Sequence, residues 1–213
     1  GGEGNDTLFA DSSIDQPLTI TQAIAGGETG EASTGLSDLL TGDAGDDVLI
    51  SSAGNDYLAG GEGSDLIVGA AGDDTIYGDR TVTAASLDWS VTRTVDESGT
   101  TDTYIVTPSA GFMGSEGAGA ADVIYGGAGA DWIFAGVGDD FVDAGSGANV
   151  VLGEAGNDII VGGSDRDILD GDSYAANQSQ TYGNDYVDGG GGDDTLFGGA
   201  DADSLFGENG DDV

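Results

Sequence analysis

Aspartate recurs at Asp47, Asp56, Asp65 and Asp74, and again at Asp122, Asp131, Asp140, Asp158, Asp167, Asp185, Asp194, Asp203 and Asp212, always nine residues or a multiple of nine apart within each stretch. Asn149 fills one place of the second series, and Asp6 stands alone upstream. Carboxylates at fixed spacing have two uses: as an acid and base pair, or as oxygen ligands of a hard cation. The rest of the composition weighs on the choice. The 213 residues carry 41 Asp and Glu against three basic residues, for a net charge of -38. All three cations are arginines (Arg80, Arg93 and Arg166), and Lys, His and Cys do not occur. A hydroxyl or thiol nucleophile with a His base, a thiolate or imidazole zinc site, a Walker A loop and a Schiff base are therefore excluded. Gly171-Asp172-Ser173 resembles the opening of an esterase motif, but that chemistry needs a His. Paired-carboxylate catalysis is a weak reading, because the repeat accounts for every regularly placed Asp. No catalytic residue and no organic cofactor is expected, and the chain is not expected to be an enzyme.

The chemistry thus points to a cation as partner. An acidic surface repels nucleic acid and anionic membranes, and no apolar stretch approaches the length of a membrane span.

The elements that position these carboxylates follow from a nine-residue period. Gly60-Gly61-Glu62-Gly63-Ser64-Asp65-Leu66-Ile67-Val68 returns as Gly126-Gly127-Ala128-Gly129-Ala130-Asp131-Trp132-Ile133-Phe134 and as Gly189-Gly190-Gly191-Gly192-Asp193-Asp194-Thr195-Leu196-Phe197. The pattern reads Gly, Gly, any, Gly, any, Asp, any, aliphatic, any. Three residues around position eight have strand character, and the six before them form a glycine-rich turn. Two units make an 18-residue coil, and successive coils stack at about 4.8 Å. The expected fold is all-β: a parallel β-roll, or right-handed β-solenoid, with two nonapeptides per coil.

Stacking sets Asp122 over Asp140 over Asp158 on one edge and Asp167 over Asp185 over Asp203 on the other. Like charges about 5 Å apart repel by roughly 1 kcal/mol in water and roughly 3 to 4 kcal/mol at an effective dielectric near 20. A cation between turns converts that repulsion into ligation and gives the converging carbonyls a partner.

The nonapeptide resembles the calcium-binding repeat of RTX, or hemolysin-type, proteins, over about two-thirds of the chain. The resemblance implies several Ca2+ ions held between turns by position-six side chains and by carbonyls of the preceding turn. Here the side chains are the Asp residues named above, with Asn149 and Asp6. The glycines implied are Gly60, Gly61, Gly63, Gly126, Gly127, Gly129, Gly136, Gly138, Gly153, Gly156, Gly189, Gly190 and Gly192. It also implies type I secretion from a bacterium, folding on extracellular calcium, and an extracellular or cell-surface location.

The period divides the chain into an isolated repeat at 1-9, an excursion or cap at 10-41, a roll block at 42-79, a projecting β-hairpin excursion at 80-116 and a second block at 117-213. The second block stops at position seven of a copy, as expected of a piece of a longer chain. Asp6 to Asp47 is not a multiple of nine, so Asp6 has no assignable partner. Residues 171-179 keep the phase but carry Ala176 at position six, Tyr174 at position four and Gln178 at position eight. They are expected to occupy a coil without a ligand, leaving Asp158 and Asp194 facing Ala176. Trp132, Phe134, Phe141, Tyr125, Phe197 and Phe206 flank position eight and should point outward. These aromatics and the hairpin offer surfaces for self-association or a surface partner. Two functions fit: a structural module of an adhesin, surface-layer or matrix protein, or the folding and secretion appendage of an exoenzyme or toxin whose catalytic domain lies elsewhere.

Overall fold

The structure, a computed structural model, describes residues 2-5, 7-9, 38-80, 89-95, 102-108, 119-172 and 182-213. Every element among them is a strand, so no helix there is long and apolar enough to cross a membrane. One eight-stranded parallel sheet runs β1 (Gly2–Glu3), β3 (Leu39–Ala44), β5 (Tyr57–Glu62), β7 (Thr75–Tyr77), β11 (Trp132–Val137), β13 (Val150–Ala155), β15 (Ile168–Asp170) and β17 (Thr195–Phe197). The other runs β2 (Thr7–Phe9), β4 (Val48–Ile50), β6 (Leu66–Ala71), β10 (Val123–Ala128), β12 (Phe141–Ser146), β14 (Ile159–Gly163), β16 (Tyr186–Gly190) and β18 (Ser204–Phe206). Strands alternate between the sheets along the chain, which makes the fold a parallel β-roll. The hairpin read from 80-116 is present as β8 (Trp89–Val95) paired antiparallel with β9 (Asp102–Pro108).

Position eight supplies the core. Leu49, Leu58, Ile67, Ile76, Ile124, Ile133, Val142, Val151, Ile160, Leu169 and Val187 are completely buried in one continuous cluster. Each such side chain contributes about 1.5 to 3 kcal/mol by leaving water. The flanking aromatics face away from this core, as expected: Trp132 and Phe197 are 54% and 52% exposed, while Tyr125, Phe134 and Phe141 are half-buried.

Within uninterrupted stretches the register is i to i+18, as in Val123 with Phe141 and Trp132 with Val150. The interruptions keep the stacking by a means the period did not reveal. β6 pairs with β10 and β7 with β11 across an offset of 57, one coil plus 39 residues, so both repeat stretches share the same two sheets. The repeat at 1-9 stacks too, since Leu8 pairs with Leu49. Asp6 itself and 10-37 lie outside the described residues. Residues 38-41, read from the sequence as the tail of the first excursion, belong to the roll, with Asp38 at position six and Leu40 in the core.

The reading of 171-179 as a coil is overturned. Ile159 pairs with Tyr186 and Ile168 with Thr195, offsets of 27, so one nonapeptide's length of chain is left out of the stack. Asp158 therefore faces Asp185, and Asp167 faces Asp194 rather than Asp185. Ala176, Tyr174 and Gln178 lie outside the described residues. The physical reason is that a coil with Gln178 inside would break a core of fully buried aliphatics, whereas expelling nine residues preserves both core and ladder.

Two departures share one device. In an unbroken coil a position-three N–H reaches the position-two carbonyl of the coil before, as Ala71 N does to Ser52 O at 3.2 Å. At Gly78-Asp79 and Gly171-Asp172 the chain leaves after position two, and an Asp carboxylate takes that N–H instead. Val137 N donates to Asp79 Oδ2, and Ala200 N donates to Asp172 Oδ2 at 2.8 Å. Asp79 and Asp172 are buried. Beyond the first exit, Arg80 lies 4.7 Å over the Tyr77 ring and 5.2 Å over that of Phe134, and bonds Glu154 at 3.2 Å. Arg166, by contrast, is exposed and forms no ion pair among the described residues.

This register makes residues 173-181 dispensable. A chain lacking them, with Asp172 joined to Tyr182, is expected to fold at a calcium midpoint within about twofold of the parent, since each backbone ladder and each core contact is retained. Circular dichroism during calcium titration checks this. A chain that no longer folds would restore the nonapeptide to the coil.

Candidate metal centre

Each position-six carboxylate divides its oxygens. Oδ1 accepts the backbone N–H of the position-six residue one coil earlier: Asp47 to Asp65 at 2.8 Å, Asp65 to Asp122 at 2.7 Å, Asp122 to Asp140 at 2.8 Å and Asp140 to Asp158 at 2.9 Å. The chain of acceptors continues through Asp185 and Asp203. The opposite edge runs Asp38, Asp56, Asp74, Asp131, Asn149, Asp167, Asp194 and Asp212 in the same way.

Oδ2 has a different fate. In Asp65, Asp74, Asp122, Asp131, Asp140, Asp158, Asp167, Asp185 and Asp194 it is buried, and among the described residues no donor reaches it. It points at the position-one residue of its own turn, usually a glycine. A Cβ on Gly60 would stand 2.1 Å from Asp65 Oδ2 and 2.7 Å from the Gly78 carbonyl of the next coil. On Gly153 it would stand 2.3 Å from Asp158 Oδ2 and 2.5 Å from Gly171 O. Gly42, Gly69, Gly126 and Gly162 repeat the arrangement with Asp47, Asp74, Asp131 and Asp167. The space is open only because a side chain is missing there.

The predicted glycines thus divide by role. Position-one carbonyls such as those of Gly60, Gly126 and Gly189 converge on the cradle of the preceding coil. Positions two and four (Gly61, Gly127, Gly136, Gly190; Gly63, Gly129, Gly138, Gly156, Gly192) have positive φ, and most lie against the same position one coil back. At Gly63, φ is 128°, and a Cβ would stand 2.2 Å from Gly45 O. Sequence reasoning missed Asp38, Asp79 and Asp172, although Ser37-Asp38-Leu39-Leu40 repeats the form of Ser64-Asp65-Leu66-Ile67. It also missed a second, exposed ladder at position five, where Asn184 N donates to Asn157 Oδ1 at 3.0 Å and Ala130 N to Asp73 Oδ1 at 2.9 Å.

Family comparison matches the RTX calcium-binding nonapeptide repeat over residues 1–16, 33–67, 50–80, 116–151, 143–173 and 180–213. The chain belongs to the RTX calcium-binding repeat family. The gaps between matched spans fall on the three excursions. Comparison with curated proteins gives no match.

The repeats of an RTX roll bind calcium, and the residues present fit that ion. No three carboxylates converge among the described residues. Each open cradle instead brings a carboxylate oxygen together with a neutral carbonyl of the next coil, a hard-oxygen set suited to a tolerant ion such as Ca2+ rather than to the strict octahedron of Mg2+. In the Ca2+-loaded roll, the position-six carboxylates and position-one carbonyls would hold the ions, which would supply charge neutralisation.

Without metal, burial favours the protonated form of several of these groups. Burial, reinforced by neighbouring carboxylates, pushes Asp122 up to about 9, Asp74 and Asp158 to about 8, and Asp65 to about 7, from an ordinary 3.8. Because the folded values are raised, the metal-free roll binds more protons than the unfolded chain. Its stability is fully present below pH about 4 and is lost as pH rises through the range from about 6 to 9. The β signal in chelator should therefore grow as pH falls from 9 to 5, while the calcium midpoint rises because ligands must shed protons to bind. A metal-free β signal independent of pH would contradict this.

The register also sets the relative weight of two aspartates. Asp158 gains a partner in Asp185 and keeps an open glycine cradle, whereas position one of the Asp140 turn is Ala135. Asp158→Ala should raise the calcium midpoint at least as much as Asp140→Ala, the reverse of the order expected with Ala176 in the coil. Paired titrations of the two variants decide it.

Proposed function

We propose that this chain is a calcium-folded roll that serves as a structural part of a secreted or cell-surface bacterial protein, of adhesin, surface-layer or matrix type, without catalysis of its own. The observation that carries the reading is the file of buried Oδ2 atoms without donors among the described residues, most of them aimed into a glycine-opened cradle. A buried carboxylate in that setting costs several kcal/mol unless it meets a proton or a cation. Calcium binding is then folding free energy.

Ligand charge supports an extracellular location. Fewer than three carboxylates per site among the described residues is a low count, and sites of low charge count bind in the range of roughly 10⁻⁴ to 10⁻³ M typical of extracellular modules. Such sites stay empty at cytosolic calcium and fill outside the cell, which suits a chain exported unfolded. An appendage to an exoenzyme would use the same switch, and flanking sequence encoding a catalytic domain would move the reading there.

Circular dichroism tests the coupling. In excess chelator at pH 8 the chain should be largely unstructured, millimolar calcium should produce β structure cooperatively, and magnesium should substitute poorly. An identical β spectrum with and without calcium would sink the proposal.

A further inference from the structure

Two rungs of the roll differ from the rest. At one, position one is Ser51, whose hydroxyl donates to Asp56 Oδ2, the oxygen that most other position-six aspartates leave without a donor. Ser51 and Asp56 are both buried. At the other, position one is the buried Ala144, whose Cβ stands where open rungs have none, and position six is Asn149. Asn149 keeps the ladder, since its Oδ1 accepts Asp131 N–H at 3.0 Å. Its Nδ2 takes the place of the second carboxylate oxygen and donates to Gly147 O at 3.1 Å. An amide NH2 is a donor only and cannot ligate a cation. Both rungs thus satisfy internally the atoms that elsewhere face the cradle.

We propose that the Ser51–Asp56 and Ala144–Asn149 rungs are closed by their own side chains and take no calcium. Both lie on the edge that runs from Asp38 to Asp212, so that edge is interrupted twice. The opposite edge, from Asp47 to Asp203, shows no such hydrogen-bonded closure among the described residues. Its nearest approach is Ala135, yet Asp140 Oδ2 there still lacks a donor. One closed rung falls in the stretch 42-77 and one in 117-213. Each stretch therefore carries one turn whose closure is a hydrogen bond rather than an ion, and at Asn149 the file of like charges is also broken by a neutral residue.

The inference rests on the calcium reading above, and the test separates the two. Bound calcium per chain is measured by equilibrium dialysis with metal analysis, at saturating calcium, for the full chain and three variants. Ser51→Gly opens its rung and should bind one more ion than the parent. The double variant Ala144→Gly, Asn149→Asp should also bind one more. Ser51→Ala keeps the Cβ and should gain none. Both opened variants should retain less β signal in chelator at pH 5 than the parent, because an ion now replaces a hydrogen bond. An opened variant that gains no ion, or that does not fold at saturating calcium, overturns the assignment for its rung, and so does a gain by Ser51→Ala. A parent chain that binds no calcium at all would instead overturn the calcium reading itself.

Discussion

The carboxylate at position six serves two masters at once. One oxygen must accept a backbone N–H from the coil before, which fixes the coil-to-coil spacing. The other is then held rigidly inward, against a turn whose facing position carries no side chain in most coils. Because every coil repeats this, the negative charges of one edge form a file at the spacing of paired strands, and no relaxation of a single side chain can relieve it. The glycines, the parallel sheets and the acidity of the chain all follow from keeping that file in place with oxygen on the inside. In an ordinary domain burial of apolar surface dominates the folding free energy. Here each nonapeptide buries little more than one aliphatic side chain, and the remainder falls to whatever neutralises the carboxylates.

Much of this was legible beforehand, for a physical reason. Asp and aliphatic at a fixed separation of two residues, repeated at nine, admit few arrangements other than a turn and a short strand. Leu49, Ile67 and Ile133 could be placed in the core without any tertiary information. What misled was the assumption that phase along the chain equals register in space. Asp167 and Asp185 are 18 residues apart and yet sit on opposite edges, because nine of the residues between them leave the coil. Local sequence reports what a nonapeptide can do. Whether it is included depends on the cost of a Gln178 in the core, set by neighbours far along the chain. Asp38 was missed for the converse reason, since it joins the ladder from the end of a segment with no repeat before it.

The carboxylate's second oxygen is also where sequence is least informative. Asp56 and Asp65 look alike in the repeat, and only the residue five positions earlier, Ser51 against Gly60, separates a satisfied oxygen from an unsatisfied one. A site of this kind is defined by what is absent from position one as much as by what is present at position six.

The exits at Asp79 and Asp172 carry a consequence for how such a molecule can be elaborated. Both departures occur at the same corner of the coil, after β7 and β15, on strands separated by three stacking steps or about 14 Å. One gives rise to a segment of 39 extra residues and the other to nine, yet the register on either side is the same. The entropy of closing a loop grows only with the logarithm of its length, so such a corner is nearly indifferent to what is spliced into it. The roll thus resembles a rail with sockets at a fixed pitch. A side-chain acceptor plugs the gap left by the departing backbone, and grafted segments of unrelated length can be displayed from one edge at a spacing set by the strands alone.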